Sequence, residues 1–79
     1  MEMEPVSDAL AAPILERLGS RIRAIRRELH LSQEECAAIC RIDRAHISRI
    51  EHGAKNTTVL LLAKMARGLG VELTDLFKP

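Results

Sequence analysis

Apolar residues recur along this chain at helical rather than strand spacing. Ile14, Leu18, Ile22, Ile25 and Leu29 follow one another at steps of four, four, three and four, drawing one stripe down a helix. Arg17, Arg21, Arg23, Arg27 and Glu28 fall off that stripe. Pro13 fits the first turn of the helix, where no backbone N–H is needed. Residues 1–12 before it are acidic, carry Pro5 and show no clear period, so they read as a flexible acidic arm, disordered or loosely helical; 13–79 then form one domain. Ser32 offers an N-cap and Glu35, three residues on, completes a capping box, predicting a short helix from Gln33 to about Cys40. Asp43 caps another short helix to about His52, with Ile47 and Ile50 as its apolar pair and Gly53 as a left-handed stop. Asn56, Thr57 and Thr58 are candidate caps for a fourth helix through Leu69, which Gly70 ends; a last turn or two covers about Leu73 to Phe77. The pattern predicts an all-α bundle of five helices and no strand.

Composition agrees with helix packing. Apolar residues make up 47% of the 79 residues, yet Phe77 is the only aromatic, so the core must be built from Leu, Ile, Val, Ala and Met. A chain this short buries only about 60% of its unfolded surface, so a partner chain would help it. Cys36 and Cys40 lie four apart on one helical face and make no disulfide framework, which points to free thiols in a reducing compartment. No apolar run approaches the ~20 residues of a membrane span and no leader is legible, so a cytoplasmic protein without membrane contact is expected. The net charge of +1 is unevenly divided. Residues 1–20 hold four acids and one base, whereas 21–55 hold eight bases and five acids. A locally basic middle third permits a phosphate-rich partner without demanding one.

The informative stretch runs from Ser32 to Gly53. Two helices of about two turns are joined by only Arg41 and Ile42, and Ala37 and Ala38 allow close approach, so the second must cross the first steeply. With Ile47 and Ile50 turned inward, Arg44, Ala45, Ser48 and Arg49 are left on the outer face, and His46 and His52 lie at its edges. A short helix projecting Arg and Ser suits the DNA major groove, where Arg bonds guanine O6 and N7 with two hydrogen bonds. The plain alternative is that Arg44 and Arg49 are solvated surface arginines.

Three runs taken together are specific: Leu31-Ser32-Gln33-Glu34-Glu35, Ile47-Ser48-Arg49-Ile50-Glu51-His52-Gly53, and Leu62-Ala63-Lys64-Met65-Ala66-Arg67-Gly68-Leu69-Gly70-Val71. In this order and spacing the chain resembles the phage repressor and Cro type of helix-turn-helix domain, the XRE family, over about Leu18 to Phe77. Asp43-Arg44 and the stretch from Ile50 to Asn56 further resemble the controller proteins of restriction–modification systems. The resemblance implies a lambda-repressor-like bundle and a sequence-specific, DNA-binding transcriptional regulator. It implies base contacts from Arg44, Ala45, Ser48 and Arg49, and phosphate contacts from Gln33, Lys55 and Asn56; from their place at the edges of the helix face, His46 is expected beside the bases at the groove edge and His52 beside the phosphates. It also implies a structural pair of Arg26 and Glu51 joining the first helix to the end of the recognition helix; an exposed, weak pair is the alternative. Two positions depart from the family pattern. His30 stands where a helix-ending Gly is common, and Cys36 stands where Leu is usual.

In the fourth helix Val59, Leu62, Met65, Ala66 and Leu69 fill the inward stripe, leaving Leu60 and Leu61 surplus. Leu73, Leu76 and Phe77 follow, more apolar side chains than so small a bundle can be expected to bury. An exposed cluster of Leu60, Leu61, Leu73, Leu76 and Phe77 marks an interface. The expectation is a homodimer on a pseudo-palindromic operator in double-stranded DNA. The rival reading is an antitoxin-like interaction module that neutralises a partner enzyme, its acidic arm folding on a basic partner. Catalysis finds no support: there is no Gly-rich phosphate loop, HExxH or nucleophile elbow. Cys36 and Cys40 lack a second suitably spaced ligand pair, and the three histidines form no cluster, so no metal, cofactor or small-molecule ligand is expected.

Overall fold

The computed structural model describes residues 8–54 and 57–79, with helices α1 Asp8–Glu28, α2 Gln33–Cys40, α3 Arg44–Glu51 and α4 Val59–Leu69, then a 3-10 helix Leu73–Phe77. No strand occurs among the described residues. The architecture is thus four α-helices and a 3-10 helix, not five α-helices. Five residues give too few i→i+4 bonds for a stable α segment, and the tighter 3-10 form is common in such short pieces.

Local chemistry sets most ends. The Ser32 hydroxyl accepts from the Glu35 N–H at 3.0 Å while the Ser32 N–H donates to the Glu35 carboxylate at 2.9 Å, the reciprocal capping box at the start of α2. Thr58 caps α4 by accepting from the Leu61 N–H at 3.1 Å, and Gly70 at φ +73 ends it. Gly53, at φ +80, follows α3 as foreseen. Asp43 holds the N-cap position of α3, but its side chain makes no capping hydrogen bond. The bends after α1 and α2 are made by His30 at φ +57 and Arg41 at φ +56, a region where a side chain is strained. The bonds Leu31 N–H to Arg26 C=O (3.1 Å) and Ile42 N–H to Ala37 C=O (3.1 Å) close these two ends.

α1 begins at Asp8, so residues 8–12, expected in the arm, are helical and Pro13 lies inside the helix rather than in its first turn. The proline removes only the bond toward the carbonyl of Ala9, an exposed residue that water can reach. The rest of the expected arm, 1–7, lies outside the described residues, as do Lys55 and Asn56.

α1 packs on α3 and the 3-10 helix, α2 packs on α3 and α4, and α4 also meets the 3-10 helix. Their shared core is Leu18, Ile22, Ile25, Cys36, Cys40, Ile42, Ile47, Ile50, Leu62, Met65, Ala66, Leu69 and Leu76. The wholly buried Ile22, Ile47, Met65 and Leu76 contribute roughly 1.5–3 kcal/mol each. Ile14 and Leu29, at the two ends of the α1 stripe, are largely exposed. Val59 lies on the α4 stripe one turn before Leu62, beyond the bundle, and is exposed too.

Two glycines set how closely the helices approach. A β-carbon on Gly19 of α1 would meet the Ile50 carbonyl oxygen at 2.4 Å and that of Glu51 at 2.8 Å. One on Gly68 of α4 would meet the Cys40 sulfur at 2.5 Å and its Cα at 3.0 Å. Gly19 thus lets α1 lie directly against the end of α3.

The expectation that the late apolar residues are all surplus to the core fails for Leu76, which is fully buried, because the 3-10 helix folds back between α1 and α4. Leu61 and Leu73 are half-buried and pack against the core edge. Leu60 and Phe77 remain exposed.

Candidate nucleic-acid interface

α3 is anchored from its inner side. Ile47 and Ile50 enter the core, and Glu51, at the last turn, is buried with Arg26 of α1. The Arg26 Nε donates to Glu51 Oε2 at 2.7 Å and its Nη2 to Oε1 at 2.9 Å, a two-pronged ion pair. The third prong, Nη1, donates to the Leu31 carbonyl at 2.8 Å, tying in the turn between α1 and α2. Burial works to raise the Glu51 pKa, but the hydrogen bonds from Arg26 and Gln33 and the Arg26 charge outweigh it and hold the carboxyl below its ordinary value. The bond to Glu51 raises Arg26 against the opposing effect of burial. The expected pair is therefore internal, joining α1, the α1–α2 turn, α2 and α3.

The outer face of α3 carries Arg44, Ala45 and Arg49, all exposed, with His46 and Ser48 half-buried beside them. Arg49 Nη2 lies 3.5 Å from His46 Nδ1, one turn apart. His52 Nδ1 lies 2.7 Å from the Ser48 carbonyl, so its ring is fastened to the helix end. Of the expected phosphate contacts, Gln33 is half-buried at the start of α2 and its Nε2 donates to Glu51 Oε1 at 3.3 Å, an inward bond. His52 is exposed. The described residues include no group of three His, Cys, Asp or Glu able to hold a metal ion.

One residue at this surface was not foreseen. Glu34, in the first turn of α2, places Oε1 2.9 Å from Arg44 Nε, with both side chains largely exposed. An acid in a first turn reads from sequence as complementing the helix dipole, and only the packing of α2 against α3 brings it to Arg44. Behind the site, Cys36 and Cys40 are buried with sulfurs 3.9 Å apart, and the bond to Cys40 together with burial pushes the Cys36 thiol far up.

Two short crossed helices, the second fixed inside and basic outside, define a helix-turn-helix. Residues 22–76 match the Helix-turn-helix family, and the chain belongs to it as a DNA-binding transcriptional regulator of the XRE type. It is similar to Control protein C.MunI of Mycoplasma sp, 40% identical over 62 residues, spanning 77% of this chain and 84% of that one. Control protein C.BamHI of Bacillus amyloliquefaciens is 37% identical over 59 residues, 73% of each chain. The crystal structure of the restriction-modification controller protein C.AhdI from Aeromonas hydrophila superposes with a TM-score of 0.77 at 33% identity, covering 80% of this chain and 96% of that one. No described helix is long and apolar enough to cross a membrane.

Proposed function

We propose that the chain is a non-enzymatic, cytoplasmic controller of a restriction–modification system that binds a pseudo-palindromic operator as a homodimer. The carrying observation is the α3 outer face of Arg44, Ala45 and Arg49, held out from the core by the buried Arg26–Glu51 pair. The likeness to the two control proteins and to C.AhdI supports the restriction–modification assignment. In this reading Arg44 and Arg49 contact guanine edges, with Ala45, His46 and Ser48 beside them. Gln33, His52, Lys55 and Asn56 contact phosphates; Gln33 offers its helix-start N–H as well as a side chain that must turn from Glu51. The exposed Leu60 and Phe77, with the half-buried Leu61 and Leu73, form the two-fold contact, and Leu76 supports it from within the core. Pairing there would set the recognition helices about 34 Å apart, one turn of DNA.

Selection of bound sites from random duplexes tests this reading. The native chain should recover one two-fold-related sequence. Arg44→Ala or Arg49→Ala should weaken the selected site by ~1–3 kcal/mol and random DNA by less. Gln33→Ala or Lys55→Ala should weaken both about equally. Equal losses at Arg44 and Arg49 on both kinds of DNA would show that these side chains hold only phosphate.

A further inference from the structure

The geometry points to Glu34 as a positioning residue that sets the base specificity of Arg44, an inference that rests on the DNA-reading role proposed above. Arg44 is the first residue of α3, and its long side chain is 58% exposed. Left alone, it would sample many rotamers and reach any nearby phosphate as easily as a base. Glu34 restrains it from outside its own helix. A carboxylate oxygen lies 2.9 Å from Nε, so the ion pair draws the guanidinium toward α2 from its inner side. Among the described residues the Arg44 guanidinium makes no hydrogen bond, and its contact with Glu34 is an ion pair alone, so the outer Nη1–Nη2 edge is open. Two parallel donors remain, the arrangement that guanine N7 and O6 accept.

The carboxylate also acts against the wrong sites. Glu34 is 67% exposed in the first turn of α2, beside Gln33, which the proposed interface brings to a phosphate. There an acid repels the backbone unless Arg44 stays paired with it. An Arg44 that swings to a phosphate leaves Glu34 uncompensated, whereas one that reads guanine end-on keeps the ion pair. Specificity thereby gains a repulsive element as well as an attractive one. Arg49 lies beside His46 and makes no ion pair among the described residues, so it lacks this restraint.

The test uses the full chain and the duplex selected from a random library, with guanine replaced at each position in turn. Glu34→Gln should lower the preference for guanine at the position read by Arg44 by about fivefold, the lower end of what one bidentate pair discriminates. It should also tighten binding to random DNA. In an Arg44→Ala background the same change should leave base preference unaltered. Glu28→Gln, which removes an exposed carboxylate elsewhere, controls for net charge. The Glu34 side chain is largely exposed, and unchanged helical circular dichroism verifies the fold. Undiminished guanine preference in Glu34→Gln, with affinity raised on every duplex alike, would overturn the inference by showing that Glu34 merely competes with DNA for Arg44. Failure of the wild-type chain to select any sequence would instead overturn the DNA-reading role, and this inference with it.

Discussion

Glu51 is the residue on which three neighbours converge. Arg26 meets it with two hydrogen bonds, Gln33 with a third, and Gly19 lies against its carbonyl. Glu51→Ala leaves a buried guanidinium without its counter-ion, and such one-sided losses are worth about 3–5 kcal/mol. Urea unfolding of the variant should show that deficit, and an unchanged midpoint would show the pair to be energetically silent. The same carboxyl makes the fold acid-sensitive. Its folded pKa lies below the ordinary 4.5, so its stabilisation is present in full above that value and is lost as pH falls through the lowered folded value. In Glu51→Gln that part of the acid loss should disappear, as read by unfolding curves between about pH 5 and 2. Gly19→Ala is the complementary change. With two carbonyl oxygens inside 3 Å of the new carbon, α1 must move off α3, and the variant should lose stability before any effect on DNA contacts is read. The Arg26–Glu51 partnership was legible only through the family resemblance, because nothing local joins residues 25 apart in sequence. Gly19 carried no signal at all: a glycine within a helix marks a close approach only when its neighbour is known.

Among the elements, those bounded by local chemistry were the readable ones. α2 runs over the residues its capping box foretold, and Thr58 and Gly70 bound α4 by side-chain and backbone effects contained within a few residues. α1 was misjudged at its start because Pro13 reads as punctuation, whereas its missing bond falls on an accessible carbonyl. The inward turn of Leu76 was hidden because it depends on where α1 and α4 leave space. Strain at the α1–α2 turn follows from His30, a side-chain-bearing residue at φ +57. His30→Gly should raise stability by about 1 kcal/mol, the cost of a left-handed side-chain residue less the entropy that glycine adds to the unfolded chain. A lower melting temperature would show that the ring makes compensating contacts. Ser32→Ala removes the hydroxyl half of the capping box and should lower stability by about 1 kcal/mol.

At the scale of the whole molecule, the chain is elongated, 46 Å by 22 Å by 19 Å. A helix of 21 residues is about 31 Å long, longer than the bundle is wide, so the start of α1 projects with Leu10 and Ile14 exposed. The proposed two-fold contact lies instead around Leu60 and Phe77. Leu61 is a poor site for a disruptive charge because it packs against the core, whereas Leu60 is 67% exposed. Leu60→Glu with Phe77→Ala should therefore give a folded monomer by sedimentation at micromolar concentration. Its affinity for a full operator should drop to nearly that of a half-site, since linkage of the two sites is lost. A double variant that still dimerises would move the interface to the projecting end of α1.

The division of α3 into an inner and an outer set bears on how such a protein changes over generations. Ile47, Ile50 and Glu51 belong to the scaffold; Arg44, Ala45 and Arg49 are exposed and form no part of its buried core. Exposed substitutions away from caps and buried networks usually change stability by less than about 0.5 kcal/mol. A lineage could exchange those three side chains, together with Glu34, and acquire a new target while inheriting an intact fold. Divergence in what is read would then outpace divergence in the frame that reads it, and two descendants in one cell would quickly cease to answer to each other's sites.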